Sequence, residues 1–217
     1  QLIRCDNVGP RTFRALVNKF GGAGAALEAL PGLIRSAKGE RAIRLFARDE
    51  AEREMEAANR NGVRFVALGE PDYPSTLRAI DAAPPLIAVR GRLDALARPA
   101  VAIVGSRNAS AAGLAMAERL ARGLAKEDVV VVSGLARGID AASHRASLTS
   151  GTIAALAGGH LRLYPPEHVE LAAAIAETGA LISEMPLEWE PRGRDFPRRN
   201  RLVSGLALAT VVVEAAR

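Results

Sequence analysis

Apolar residues recur at helical spacing near the start of the chain. From 13 to 20 they fall every three or four positions, directly after a turn in which Pro10 is placed to open a helix. A second apolar stretch over 25–30 predicts another helix, which Pro31 and the glycine after it would break. The pattern therefore indicates a helical beginning with short loops.

The charged segment that follows predicts a longer helix. It runs from about 40 to 60, with Ile43 and Phe46 on one face, and Gly62 would close it. We therefore expect a small all-helical domain over residues 1–62.

The pattern of apolar and polar positions changes after residue 62. A connecting segment over 63–98 holds two strand-like runs, and from Pro99 onward apolar strands alternate with glycine-rich loops and helices. Such alternation is typical of an α/β fold with a doubly wound, mostly parallel sheet, and we expect this core to cover 99–217. The predicted strands are 63–68, 85–90, 100–104, 129–132, 152–156, 180–183 and 209–213, and the predicted helices of the core are 110–125, 139–148, 167–177 and 199–206.

Composition narrows the class of protein. Of 217 residues, 49% are hydrophobic, which is enough for a sizeable core, and no apolar run approaches the roughly 18 residues of a membrane span. The single cysteine, Cys5, permits no internal disulfide, so a reducing cytoplasm is expected. The chain begins at Gln1 and stops after a strand-like run, so we expect a piece of a longer protein.

Charge hints at a polyanionic partner. The formal net charge is +5, and 26 of the 29 basic residues are arginine, which a GC-rich genome also explains. Residues 192–201 carry five arginines against one acid. A solvated charge run is the ordinary interpretation of such a segment, but Phe196 and Asn200 interrupt it. Arginines mixed with an aromatic ring and an amide suit single-stranded nucleic acid.

The loops at the carboxyl ends of the predicted strands carry the candidate chemistry. In a parallel sheet these loops share one edge, where ligands bind. Arg107 and Arg137 lie in two of them, beside glycines and beside helix starts at Ser110 and near Asp140, which attract anions. We therefore expect a phosphate-binding edge.

Other chemistries find less support in the sequence. The chain lacks the G-x-G-x-x-G and G-x-x-x-x-G-K-[ST] motifs, and its three histidines lack ligand spacing, so we expect neither a cofactor nor a metal. A Ser-His-Asp catalytic triad is one interpretation, with Ser106 or Ser133 as the nucleophile and with His144 and Asp140 as its partners. The alternative, that Asp140 holds a loop or caps a helix and His144 is packed, is better supported by the spacing.

Several long motifs resemble one family. The blocks V-G-S-R from Val104, S-G-L-A-R-G-I-D from Ser133, Y-P-P-E from Tyr164, F-P-R-R-N-R from Phe196 and V-V-E-A stand in order. Together they closely resemble the DNA-processing protein A family (DprA, also called Smf).

The resemblance implies an extended Rossmann domain, preceded by a domain that is similar to a sterile-alpha-motif or helix-hairpin-helix module. It implies a homodimer without enzymatic activity that binds single-stranded DNA, protects incoming DNA and loads the recombinase RecA during natural transformation. Gly105, Ser106 and Arg107 match the family's DNA pocket. The other candidate DNA-binding residues come from the neighbouring motif blocks by charge and loop position: Ser133, Gly134, Arg137, Gly138, Arg198, Arg199, Asn200 and Arg201.

Two features limit the resemblance. The family often carries a lysine shortly after the Tyr-Pro-Pro segment, where this chain has His168 and Val169, and it continues past the V-E-A strand. The alternative function is a nucleotide-processing enzyme similar to the phosphoribohydrolases. Their P-G-G-x-G-T-x-x-E signature is not completed after Gly158 and Gly159.

Overall fold

The structure is a computed structural model that describes residues 1–36 and 44–215. Helices and one twisted sheet alternate along most of the chain. The helices are α1 (Pro10–Phe20), α2 (Ala23–Ser36), α3 (Arg48–Arg60), α4 (Ser75–Arg78), α5 (Ala111–Lys126), α6 (Ile139–Ser147), α7 (Val169–Thr178) and α8 (Asp195–Leu206). The strands are β1 (Val63–Ala67), β2 (Leu86–Gly91), β3 (Ala100–Gly105), β4 (Val130–Ser133), β5 (Thr152–Ala155), β6 (Ala180–Ser183) and β7 (Ala209–Val213).

The seven strands form one sheet in the order β1-β2-β6-β5-β4-β3-β7. The five strands from β3 to β7 pair in parallel, whereas β1 and β2 add an antiparallel edge beside β6. The chain moves outward from β3 to β6 and then returns to the other side of β3 with β7. The order therefore reverses at β3, and the predicted doubly wound, mostly parallel fold is confirmed.

Both faces of the sheet are covered over the central strands β4, β5 and β6, which explains why these strands are apolar nearly throughout. Alternate residues such as Ala102 and Val132 pack with Leu202 of α8 on one face, and Ile103 and Val131 pack under α5 and α6 on the other. These side chains are fully buried, and each aliphatic side chain of this kind contributes about 1.5–3 kcal/mol through removal from water.

The helical part departs from two predictions. The expected break at Pro31 is wrong, because α2 continues through it to Ser36. Leu30 and Ile34, one before and one after that proline, both pack into the apolar cluster under α1, which offsets the one lost backbone hydrogen bond. The third helix begins at Arg48, not near 40, since residues 44–47 are not helical and the backbone of Ala47 is extended; positions 40–43 lie outside the described residues.

A charged contact joins the helical part to the sheet. The Arg4 guanidinium donates to Glu54 of α3 at 3.0 Å and to the Glu184 carbonyl, after β6, at 2.9 Å. The predicted domain limits (1–62, 63–98 and 99–217) stay predictions. No helix of the described ranges is both long and apolar enough to cross a membrane.

The start of α8 is the boundary that matters for function. This helix begins at Asp195, four residues before the predicted start. Pro197 is tolerated because the first turn of a helix has no intrahelical partner for its amides. The Asp195 carboxylate accepts hydrogen bonds from the Trp189 indole at 2.9 Å and the Arg192 amide at 2.8 Å, which fixes the entry. Phe196 and Arg198 therefore project from a helix and not from a loop.

Candidate nucleic-acid interface

An open cleft of about 1110 Å³ lies where β3 and β7 end, beside the N-terminal half of α8. This is the point at which the strand order reverses, the usual ligand site of a doubly wound sheet. The cleft brings together most of the residues predicted from loop position: Gly105, Ser106, Arg107, Gly134, Arg137, Arg199, Asn200 and Arg201. Ser133, Gly138 and Arg198 are not in its lining.

The loop after β3 is held tightly against β7. A Cβ atom on Gly105 would lie 1.8 Å from the Val213 carbonyl oxygen, so only glycine permits this approach. The Ser106 amide donates to the Glu214 carbonyl at 2.8 Å, and the Ser106 hydroxyl accepts from the Asn108 amide at 3.2 Å. These bonds fix the backbone on both sides of Arg107, whose side chain is exposed at the cleft.

The start of α5 is occupied by a carboxylate of the chain itself. Glu214 accepts from the Ser110 amide at 2.9 Å and from its hydroxyl at 2.5 Å, and these bonds hold the pKa of Glu214 below its usual value. The sequence predicted this helix start as an anion site, and the anion there is Glu214. An external phosphate therefore has to compete with Glu214 for this helix start.

Asp140 organises the loop after β4 in the same way. Its carboxylate accepts from the Gly134 amide at 3.1 Å and the Ala136 amide at 3.3 Å. Burial raises the pKa of Asp140, while Arg199 and the amide donors oppose that rise. Gly138 has φ +70°, and a Cβ there would lie 2.2 Å from the Ser106 carbonyl oxygen, so the loops after β3 and β4 are in contact.

Two predicted contact residues face inward. Arg199 is 6% exposed; its guanidinium donates to the Ala155 carbonyl at 2.6 Å and to the Gly134 carbonyl. Burial, the largest effect, lowers the pKa of Arg199, and nearby Asp140 opposes this. Ser133 is fully buried and its hydroxyl donates to the Ile103 carbonyl at 2.6 Å. The contacts of both side chains tie strand ends together, and their roles as DNA contacts stay predictions.

The arginine-rich segment is also held by contacts within the chain. Arg198 forms a two-pronged ion pair with Glu184, both distances being 3.1 Å, and Arg201 bonds to the same carboxylate and to the Ala82 carbonyl. The Glu184 side chain is 5% exposed. Its single negative charge therefore offsets one of the positive charges expected at this segment, and Arg198 lies on the side of α8 away from the cleft lining.

Arg107 and Arg137 are the exposed cations of the cleft. The Arg107 guanidinium lies 5.3 Å from the centre of the Phe196 ring, a cation–π contact. Arg137 pairs with Glu167, and this hydrogen bond lowers the pKa of the Glu167 carboxyl. Both members of the pair are solvent-exposed, at 62% and 45% of their side chains, so a phosphate can exchange for the carboxylate.

His144, the base of the possible catalytic triad, has a hydrogen-bond partner outside that triad. His144 is fully buried and its Nδ1 lies 2.8 Å from the Thr152 hydroxyl, while the Ser133 hydroxyl and the Asp140 carboxylate have the partners given above. Burial lowers the pKa of His144 to about 3. Within residues 1–36 and 44–215, no group of three or more His, Cys, Asp or Glu side chains could hold a metal ion.

Comparison with known proteins decides the family. Residues 64–217 match the sequence model of the family described as DNA recombination-mediator protein A, and residues 1–57 match the DprA-like N-terminal HHH domain. The chain belongs to the DprA family. The resemblance predicted from the motif blocks is thereby confirmed.

Relatives within the DprA family include two bacterial proteins. The DNA processing protein DprA of Bacillus subtilis is 35% identical over 165 residues, which is 75% of this chain and 56% of that protein. The putative DNA processing protein DprA of Mycobacterium tuberculosis is 41% identical over 182 residues, 77% of this chain and 47% of that protein. The chain thus spans about half the length of these relatives.

Solved DprA structures share the fold. DNA processing protein A of Streptococcus pneumoniae matches with a TM-score of 0.68 and 35% identity, covering 74% of this chain and 58% of that one. The DprA of Helicobacter pylori, described for its single-stranded DNA binding mode, matches with a TM-score of 0.63 and 28% identity over 69% of this chain and 68% of that one.

Sequence reasoning did not find several residues that shape this DprA-family cleft. Glu184 and Glu214 come after strands, and only their contacts show which cations and amides they take up. Tyr164 is absent from the candidate residues although its loop leaves the same predicted sheet edge as those of Arg107 and Arg137, and that shared edge is the signal that could have included it.

Proposed function

We propose that this chain binds single-stranded DNA along the cleft at the β3/β7 reversal and holds it without cutting it. The observation that supports this most directly is the pair of exposed arginines, Arg107 and Arg137, on rigid loops that face one open cleft. Arginine forks grip phosphate oxygens through paired N–H donors. The H. pylori DprA with the same fold is described as a single-stranded DNA binder.

The proposed contacts divide by what each residue offers. Arg107 and Arg137 bind phosphates, and the exposed Asn200 and the Ser106 region offer neutral hydrogen bonds to the strand. Gly105, Gly134 and Gly138 let the loops that carry these contacts pack closely against Val213, Arg199 and Ser106. Arg199 acts as a positioning residue, since its bonds end on the carbonyls of the loops that carry the contacts.

A binding role without bond cleavage is supported by the partners of the candidate catalytic groups. The hydroxyl of Ser133 and the imidazole of His144 are each engaged in buried contacts with other residues. The phosphoribohydrolase-like alternative predicts release of free base from nucleoside monophosphates. Chromatography of such a mixture after incubation with the chain would detect that activity.

The wider role belongs to the same proposal. As in the family that the chain resembles, the bound strand is protected and handed to RecA during natural transformation, in the reducing cytoplasm, by a homodimer. RecA filament assembly on a coated oligonucleotide, with and without the chain, tests the transfer, and light scattering tests the dimer.

The decisive experiment is fluorescence anisotropy with a labelled single strand and its duplex at two salt concentrations. We expect the single strand to bind tighter, and log K to fall with log salt by about 0.7 for each phosphate contacted. Arg107→Glu should weaken binding at least about tenfold. The matched control is Arg48→Glu on α3, where the side chain is 85% exposed and pairs with Glu52. Equal effects of the two variants would remove Arg107 from the site.

A further inference from the structure

One residue, directly after β7, holds both ends of the loop that carries Arg107. The loop consists of residues 106–110, between β3 and α5. At its first residue, the Ser106 amide donates to the Glu214 carbonyl at 2.8 Å. At its last residue, the Glu214 carboxylate accepts from the Ser110 amide at 2.9 Å and from the Ser110 hydroxyl at 2.5 Å. These bonds together form the Glu214 clamp.

The backbone conformation of Glu214 is unusual for a residue with a side chain. Its φ is +55°, in the left-handed region that residues other than glycine rarely adopt. Such conformations persist where surrounding bonds fix them, and they are concentrated at functional sites. In this conformation both the carbonyl and the carboxylate of Glu214 reach the loop after β3.

The start of α5 has room for the carboxylate. The Gly113 amide, in the first turn of α5, donates to the Ser110 hydroxyl at 3.1 Å, so this hydroxyl both caps the helix and bonds to Glu214. A Cβ atom on Gly113 would lie 2.2 Å from the Glu214 Oε2 atom. Helices ordinarily favour alanine over glycine. The clamp therefore gives a physical reason for a glycine at this position.

The clamp fixes the backbone on which the Arg107 side chain is mounted. Arg107 lies between the two clamped ends, and the Ser106 carbonyl beside it accepts from the Ile139 amide at 3.2 Å. The Arg107 side chain is exposed at the cleft. A cation on a fixed backbone loses less conformational freedom on binding a phosphate than a cation on a loop that must first be ordered.

We propose that Glu214 is a positioning residue for DNA binding: its carboxylate holds the loop after β3 so that the Arg107 guanidinium meets a phosphate of the bound strand. This rests on the proposed function, and it assigns an acidic residue a favourable part in binding a polyanion. A carboxylate that only repelled phosphate, or only took its place at the start of α5, would have the opposite effect. The two roles therefore predict changes of opposite sign when the carboxylate is removed.

The experiment takes the carboxylate away from Ser110 in two independent ways. Anisotropy titrations with a labelled oligothymidylate compare the wild-type chain with Glu214→Ala, Glu214→Gln and Gly113→Ala. Glu214→Ala deletes the carboxylate, and the new Cβ atom in Gly113→Ala displaces it, since it is the end of a flexible side chain. Ordering one side chain corresponds to about three- to tenfold in affinity, so both variants should raise the Kd by that factor. Glu214→Gln, whose amide oxygen can still accept from the Ser110 amide, should stay within about twofold of the wild type.

Two controls restrict the effect to the loop. Gly123→Ala makes the same substitution in the same helix, where nothing lies within 4 Å of the added Cβ atom, and should leave the Kd unchanged. In an Arg107→Gln background, Glu214→Ala and Gly113→Ala should cause no further loss. Since alanine favours helices more than glycine does, Gly113→Ala should keep a melting temperature close to that of the wild type while its binding weakens.

The outcomes distinguish the two proposals. If the wild type binds no single strand, the proposed function fails and this proposal fails with it. If the wild type binds while Glu214→Ala and Gly113→Ala bind as tightly or more tightly, the positioning role is wrong and strand binding stands. A loss of equal size in the Arg107→Gln background, or from Gly123→Ala, would also overturn the positioning role. Hydrogen exchange at the Ser110 amide should be faster in both clamp variants, and unchanged exchange would refute the clamp.

Discussion

Glu167 occupies Arg137, the proposed phosphate contact, so removal of this carboxylate is expected to strengthen binding of a single strand. The carboxylate pairs with the Arg137 guanidinium and, because that pair lowers its pKa, stays charged at neutral pH. A phosphate that takes Arg137 must first break this pair and then lie near the freed negative charge. Glu167→Gln keeps the shape of the side chain and removes the charge.

The size of the effect follows from the exposure of the pair. Its side chains are 62% and 45% exposed, and exposed pairs of this kind change an equilibrium constant by at most about fivefold. Relief of the repulsion between carboxylate and phosphate adds a smaller, salt-screened factor. We therefore expect Glu167→Gln to lower the Kd for a single strand about three- to tenfold at low salt. The slope of log K against log salt should change by less than the roughly 0.7 that one phosphate contact contributes, since Arg137 contacts a phosphate in both proteins.

The assay is anisotropy at three salt concentrations, with two controls. Glu177→Gln changes the net charge identically near the other end of α7, where the carboxylate is exposed, and should leave the Kd unchanged. In the Arg137→Gln background, Glu167→Gln should give no gain, because the cation it masks is gone. A gain that persists in this background, or an equal gain from Glu177→Gln, would show that the effect is general charge and refute the competition.

Two further predictions concern stability. Burial lowers the pKa of His144 to about 3 and of His160 to about 4, so between pH 6.5 and about 4 the unfolded chain binds a proton at each that the folded chain does not. The free energy of unfolding should then fall by about 2.7 kcal/mol per pH unit as the pH drops through this range, because two histidines contribute. Urea unfolding at several pH values measures this slope. Ring protons of His144 or His160 that titrate near pH 6.5 in NMR spectra of the folded chain would contradict the prediction. Arg199→Met should cost about 3 kcal/mol in the same assay, because it leaves Asp140 and two carbonyls without their cation, whereas exposed Arg192→Met should cost under about 1 kcal/mol. Equal costs would contradict the buried role of Arg199.

The fold was predictable because its signals are local and repeated. Continuous apolar strands such as Ala100–Gly105, each followed by glycine and a helix, specify a covered parallel sheet without any knowledge of contacts. The same reasoning failed at Pro31, where tertiary packing of Leu30 and Ile34 outweighs a local break. It also placed the start of α8 too late, since the bonds that fix Asp195 come from Trp189 and a backbone amide earlier in the chain.

The candidate site was predictable in place but not in detail. Loop position at the ends of parallel strands was sufficient to bring Arg107 and Arg137 to one cleft. The direction in which a side chain points depends on partners far along the sequence. The Arg199 guanidinium donates to the carbonyl of Ala155, 44 positions away, so its charge is buried in a contact within the fold. No pattern of residue types in the segment 192–201 distinguishes it from its exposed neighbours.

These placements change which force is expected to hold the strand. Both helix starts beside the cleft already have carboxylates, Glu214 at α5 and Asp140 in the first turn of α6, so helix dipoles there are matched within the chain. The Glu184 carboxylate likewise forms ion pairs with Arg198 and Arg201. The exposed cations of the cleft are therefore the guanidinium groups of Arg107 and Arg137. An affinity that rests on so few charges should be sensitive to a single charge reversal at Arg107.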